Sequence, residues 1–138
     1  MRLVFFCILA LVAEANVGGH VRGWYLSPEK VAEDSQAVAR VSIQRVAPVI
    51  IKGRVWTEVH CLVQEVWRGE LGETIIVRQA GGNTPELRTE AGPRPDFKAG
   101  QEWILAVVEP PFGDWTLMGL NQGAWVISGD KAVRDYSG

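Results

Sequence analysis

Val55-Trp56-Thr57-Glu58-Val59-His60-Cys61-Leu62-Val63-Gln64-Glu65-Val66 is the stretch whose pattern decides the fold. It alternates with a period of two. Val55, Thr57, Val59, Cys61 and Val63 fall on one face, and Trp56, Glu58, His60, Leu62 and Gln64 on the other. Successive strand residues point to opposite sides, so this is the signature of a half-buried antiparallel strand. It is long for a strand, and long strands bend, as they do in barrels.

Working outward, residues 37–44 repeat the pattern, with Ala37, Ala39, Val41 and Ile43 on one face, and Ala47-Pro48 is expected to end or bend that strand. On the other side, residues 68–73 (RGELGE) read as a turn and residues 74–79 (TIIVRQ) as a third strand. Gly81-Gly82 breaks the pattern as a turn that needs positive φ. Residues 83–100 form the longest irregular region, with Pro85, Pro93 and Pro95 and a short edge strand at 87–90. Residues 101–108 (QEWILAVV) read as a core strand, and 115–118 and 124–127 as short ones. Ser27-Pro28-Glu29 is a helix start, with a Ser cap, Pro at the first helical position and an acid in the first turn, which predicts a helix over 28–34. The fold expected is all-β with one short N-terminal helix: a small antiparallel OB-like β-barrel, with a β-sandwich as the alternative.

Residues 1–15 (MRLVFFCILALVAEA) read as a signal peptide, with Arg2 as the basic n-region, an apolar run and a small-x-small Ala13-Glu14-Ala15 before the cut. The apolar run is shorter than a bilayer span, so no stable membrane insertion is expected after cleavage near Ala15. The organisation expected is thus a signal peptide over 1–15, a flexible lead-in over 16–26, a β-barrel domain over 27–128 and a tail over 129–138 that frays. Localisation is expected to be exported, periplasmic or secreted. Cleavage leaves Cys61 as the single cysteine, so no intramolecular disulfide forms, and its strand position suits a buried, inert thiol.

The chain of 138 residues carries 14 Lys and Arg against 16 Asp and Glu, a formal charge of −2. That balance counts against a broad basic face for nucleic acid, and no nucleic-acid partner is expected.

The order of phrases carries a resemblance. Val66-Trp67-Arg68-Gly69 is followed by Gly72-Glu73-Thr74-Ile75-Ile76-Val77-Arg78-Gln79-Ala80-Gly81-Gly82, then by Phe97-Lys98-Ala99-Gly100-Gln101-Glu102-Trp103-Ile104-Leu105-Ala106-Val107, then by Gly119-Leu120-Asn121-Gln122-Gly123-Ala124-Trp125-Val126. This order resembles a group of uncharacterised bacterial exported small β-barrel domains over roughly residues 31–127. More remotely it is similar to netrin-type modules, the barrel of the tissue inhibitors of metalloproteinases, which implies an OB-like barrel. Those inhibitors bind the protease metal through a disulfide-tied N-terminal cysteine. The mature start expected here is Asn16, so the resemblance does not carry their mechanism.

Two histidines limit metal chemistry, and no HxxxH, CxxC or carboxylate cluster with ligand spacing occurs. No metal, cofactor or catalytic residue is expected. Glu58 and His60 share a face with Trp56 and could form a polar or general-base site, but a solvated barrel face is the preferred account of them. His60 and Cys61 are adjacent and point apart, which disfavours a dyad. Six Trp against two Tyr is the unusual entry in the composition. Some must fill the core, and the rest could form a platform for a ligand. The ligand-binding candidates are Trp56, His60, Trp115, Asn121 and Gln122, flanked by the 83–98 loop. The function expected is an exported, non-catalytic binding module for a protein or peptide partner. Alternatives are a carbohydrate-binding module using exposed Trp, and a hydrolase of unknown type.

Overall fold

A computed structural model describes residues 25–110 and 113–134. The expected signal peptide, the lead-in through Trp24 and the last residues of the tail lie outside the described residues.

The helix α1 spans Pro28–Asp34. The Ser27 side chain accepts from the Lys30 N–H at 3.2 Å, Pro28 sits at its first turn, and Ser35 ends it in extended backbone while donating its N–H to Val31 O. A helix this short is marginal alone. Its buried Val31 and Ala32 hold it against the sheet.

The strands are β1 (Ala37–Ile51), β2 (Arg54–Arg68), β3 (Thr74–Ala80), β4 (Gly82–Asn83), β5 (Arg88–Thr89), β6 (Glu102–Val108), β7 (Thr116–Leu117), β8 (Ala124–Ser128) and β9 (Lys131–Arg134). A 3-10 turn, Leu120–Gly123, separates β7 from β8. One antiparallel sheet runs β3-β2-β1-β6-β8-β9, with β7 paired to β6, and β4 and β5 form a separate pair. The all-β class with one short helix is thus the architecture the alternation implies.

Where β6 lies centrally, both faces of the sheet are covered. Trp103, Leu105 and Val107 join Ala37, Ala39, Val41, Ile43, Val59, Cys61, Ile75 and Val77 on the concave side. Ile104 and Ala106 join Val38, Trp125 and α1 on the convex side. A strand buried on both faces reads as a continuous apolar run, which is why 103–108 lacks alternation.

Three features depart from the sequence reading. First, β1 does not end at Ala47-Pro48 but continues to Ile51, bent by register shifts at 38/39, 40/41 and 43/45. Beyond Ser42 it no longer pairs with β6, and a proline is tolerated on such an edge because its missing N–H costs no ladder bond there. Lys52 and Gly53, both at positive φ, then turn the chain into β2 as a two-residue hairpin.

Second, the sheet is not closed into a barrel. The far edge of β3 comes round to meet Trp115, the residue before β7, at a single parallel bridge with Val77, where Arg78 donates its N–H to Trp115 O at 2.8 Å. Met118 and Gly119, the latter at φ +67°, turn the chain away after two residues of β7, so no ladder propagates from the bridge. Third, residues 131–134 of the expected fraying tail form β9. Ser128-Gly129-Asp130-Lys131 makes a hairpin with Gly129 at φ +63°, and Val126 then pairs with Val133.

Candidate functional site

The second half of the β1–β2 hairpin extends past the core. Directly paired residues share a face, so Val46 opposite Val59, Pro48 opposite Thr57 and Ile50 opposite Val55 all lie on the concave side. Gln79 of β3, paired with Thr57, continues the row. The polypeptide from Ala91 to Phe97 lies over this surface. Between them is an open cleft of about 550 Å³ whose lining includes Val46, Pro48, Thr57, Gln79, Arg94 and Phe97. That is within the size range of small-ligand sites. Phe97 closes its inner end, packed edge-on against Trp103 with ring centroids 4.5 Å apart.

Arg94 is the organising residue. Its Nη1 donates to Gly81 O at 2.7 Å and to Thr57 Oγ1 at 2.9 Å, while the Thr57 hydroxyl donates to the same Gly81 carbonyl at 2.8 Å. This triangle depends on the glycine pair. Gly81 at φ +93° and Gly82 at φ +148° turn the chain out of β3 so that the Gly81 carbonyl faces inward. A Cβ on Gly82 would sit 2.9 Å from Thr57 Oγ1. Only glycine reaches this conformation without strain. Val55 ties the far side, donating to Thr89 Oγ1 at 2.8 Å and accepting from the Gly81 N–H at 3.0 Å.

The guanidinium is therefore fixed through one nitrogen. Among the described residues it has no carboxylate partner; the neighbouring Asp96 faces Lys98 at 3.8 Å. Arg94 also borders two smaller depressions that open beside the cleft, one against Trp56 and Leu120, the other against Arg88 and Thr89. Gln79 is 8% exposed, lines the cleft, and its Nε2 has no hydrogen-bond partner among the described residues. A buried donor without a partner is costly, and this one borders an open cleft, where an incoming acceptor would satisfy it. A held guanidinium and an unpaired amide thus line one cleft of mixed polar and apolar wall, and both are donors suited to an oxygen acceptor.

The residues picked out from the sequence are dispersed. Trp56 borders the smaller depression beside Arg94. His60 lies on the convex side beside a row of charged groups: its Nε2 is 3.1 Å from Arg45 Nη2 and 3.6 Å from Glu58 Oε1, and Glu58 pairs with Arg78, which also holds Asp114 at 2.5 Å. Glu58 is thus tied to a guanidinium. Trp115 packs on the core beside the bridge to Val77. Asn121 and Gln122 are buried in the 3-10 turn, and Gln122 Oε1 accepts from the Leu26 N–H at 2.6 Å, pinning the segment before α1. None of these five residues lines the larger cleft.

The rings are mostly interior. Trp103 and Trp125 are fully buried, and Trp56, Trp67 and Trp115 are half-buried. Arg134, itself buried, lies 4.9 Å from the Trp125 ring and donates to Leu26 O at 2.8 Å, a structural staple. Burial pushes the Cys61 thiol up to about 12, which keeps it protonated and inert.

Arg94 left no local signal, because its anchors are brought to it by tertiary structure. The one clue was Gly81-Gly82, which reads as a turn but also supplies the carbonyl that holds the guanidinium. Comparison with known proteins yields no match to a family model, a curated protein or a solved structure.

Proposed function

We propose that this chain is a non-catalytic binding module that receives a peptide segment of a protein partner in the cleft between the β1–β2 hairpin and the 91–97 segment. The observation that carries this reading is the fixed Arg94 guanidinium beside the orphaned Gln79 amide, on a wall of exposed apolar side chains. These are the parts of a recognition site: apolar area for affinity and a few placed polar groups for orientation. The carbohydrate alternative draws on exposed tryptophan, and none of the five described Trp is exposed. The hydrolase alternative draws on Glu58 as a base, and its carboxylate is already paired with Arg78.

Export through residues 1–15 belongs to the same proposal, supported by the n-region, apolar run and Ala13-Glu14-Ala15. The netrin-type likeness enters as architecture alone, supported by the all-β class and the antiparallel order of the strands.

The test is selection from a displayed library of random dodecapeptides, run in parallel on the wild-type chain and on Arg94→Gln. The reading expects a shared sequence pattern enriched on the wild type and lost on the variant. Enrichment no greater than on a blank surface, or the same pattern on both proteins, overturns it.

A further inference from the structure

Resting on that reading, we infer the chemistry of the occupant: an extended strand that adds to the free edge of β1 and places an internal Glu or Asp side chain on Arg94. The edge is defined by where its neighbours stop. β6 pairs with β1 from Ala37 to Ser42, and Ile43 exchanges backbone hydrogen bonds with Gly100 and Gln101. From Gln44 to Ile51, β1 has β2 on one side and no described strand on the other. An uncovered edge is a template for a further strand, and partners that use one gain affinity from main-chain bonds and specificity from alternate side chains.

Here the two sources are complementary. Pro48 removes a donor from the middle of the edge, so indiscriminate pairing is weakened and side-chain recognition must supply the difference. The alternate side chains of an added strand would project onto the concave face, where Val46 and Ile50 offer apolar contact. Arg94 offers the charge. Its anchoring through Nη1 means that little side-chain freedom is lost when the rest of the fork meets a carboxylate. The Gln79 amide can donate to the same group or to the adjacent backbone.

Charge complementarity selects an acid. Among the described residues, Arg94 is the one cation lining the cleft and no carboxylate pairs with it; Asp96, the acidic residue of the lining, lies against Lys98. The cleft is open and lined from β1 by Val46 and Pro48 and from the facing segment by Arg94, so a side chain projecting from a strand beside β1 enters it towards the guanidinium.

The experiment uses the full chain and acetylated, amidated hexapeptides of sequence Thr-Val-Glu-Val-Thr-Val, with Gln or Lys replacing Glu, titrated calorimetrically. The Glu peptide should bind about tenfold or more tighter than the Gln peptide, the usual worth of a charge-assisted pair. Arg94→Gln should erase that preference. Should Arg94→Gln misfold, Val46→Glu provides the second variant: at an exposed position it leaves the Arg94 anchors intact and should weaken the Glu peptide more than the Gln peptide. N-methylation of alternate peptide amides should abolish binding in one register and be tolerated in the other, which a non-strand mode would not show.

Equal binding of the Glu and Gln peptides, or insensitivity to N-methylation in both registers, overturns the inference while leaving peptide recognition standing. Failure of these peptides together with failure of the library selection removes both. Phosphatidylserine vesicles or inorganic phosphate engaging Arg94 where the peptides do not would overturn it in favour of a different anion. Dimerisation that masks the β1 edge would overturn it in favour of a second copy of the chain.

Discussion

Ala37, Ala39, Val41 and Ile43, in the first half of β1, are 1% exposed or less, whereas Val46 and Ile50, in its second half, are 36% and 49% exposed. Both sets face the same side of the same strand, and all of them but Ala37 pair with β2. What differs is the company. The first half has β6 on its other edge, α1 behind it and the core in front. The second has, among the described residues, β2 alone. The same β2 ladder therefore backs a buried half and an exposed half, and the division falls at Ile43, where Gly100 and Gln101 leave the edge. Natural edges are usually blunted or covered. This one is interrupted once, at Pro48, and is walled by a cleft with a fixed cation.

The sharpest way to break this division is a matched pair of substitutions. Val41→Asp places a charge in a site of 0% exposure and should destabilise by about 4 kcal/mol or more, because a buried unpaired carboxylate has no compensation. Val46→Asp, in the second half, should cost within about 0.5–1 kcal/mol, as surface changes do. Urea denaturation measures both, and similar losses would erase the distinction between the halves.

A smaller effect tests the glycine that shapes the cleft. Gly82→Ala forces a Cβ against Thr57 Oγ1 at 2.9 Å and Val55 Cγ1 at 3.0 Å from a φ of +148°, and should cost about 1–3 kcal/mol. Gly92→Ala meets nothing within 4 Å and should stay within about 0.5 kcal/mol. Thermal melts of the two separate a structural turn from a merely permissive one. Thr57→Val then removes one acceptor from Arg94 and should cost about 1 kcal/mol in stability, with a larger proportional loss in peptide affinity. Unchanged affinity would mean that the guanidinium needs no anchor.

The smallest effect lies in the first half. The Arg40 hydrogen bond holds the Glu102 carboxyl below its ordinary range, against the opposing effect of burial, with Arg40 charge and Gln64 assisting. A lowered native value stabilises above the unfolded pKa and is lost as pH falls through the native one. Glu102→Gln should therefore slightly flatten the acid limb of stability against pH. A steeper acid limb in the variant would contradict that sign.

Much of the first half was legible because its signals are local. Ser27-Pro28-Glu29 carries its own cap, the alternation of residues 55–66 reports one buried face, and the unbroken run of 103–108 reports two. The second half resisted reading because its structure depends on what is missing beside it. Pro48 argues against a strand only where a neighbour needs its N–H, and among the described residues there is none. Lys131-Ala132-Val133-Arg134 is too short and polar to announce a strand, yet β8 supplies its ladder and Trp125 the seat for Arg134. The tryptophans invited a platform, but a ring's exposure is set by what packs on it. Arg94 was invisible for the same reason: an arginine in a proline-rich loop looks solvated until Thr57, from the middle of a strand, is placed against it.

Backbone amide hydrogen exchange on the wild-type chain, free and with the acetylated Glu hexapeptide, tests the central claim most directly. In the free protein, residues 37–43 should exchange slowly and residues 44–51 much faster, as an edge with one partner does. The peptide should slow exchange in 44–51 and around Arg94, leaving 37–43 unchanged. Protection confined to the convex side about Trp56 and His60, or no change anywhere at saturating peptide, would contradict the account.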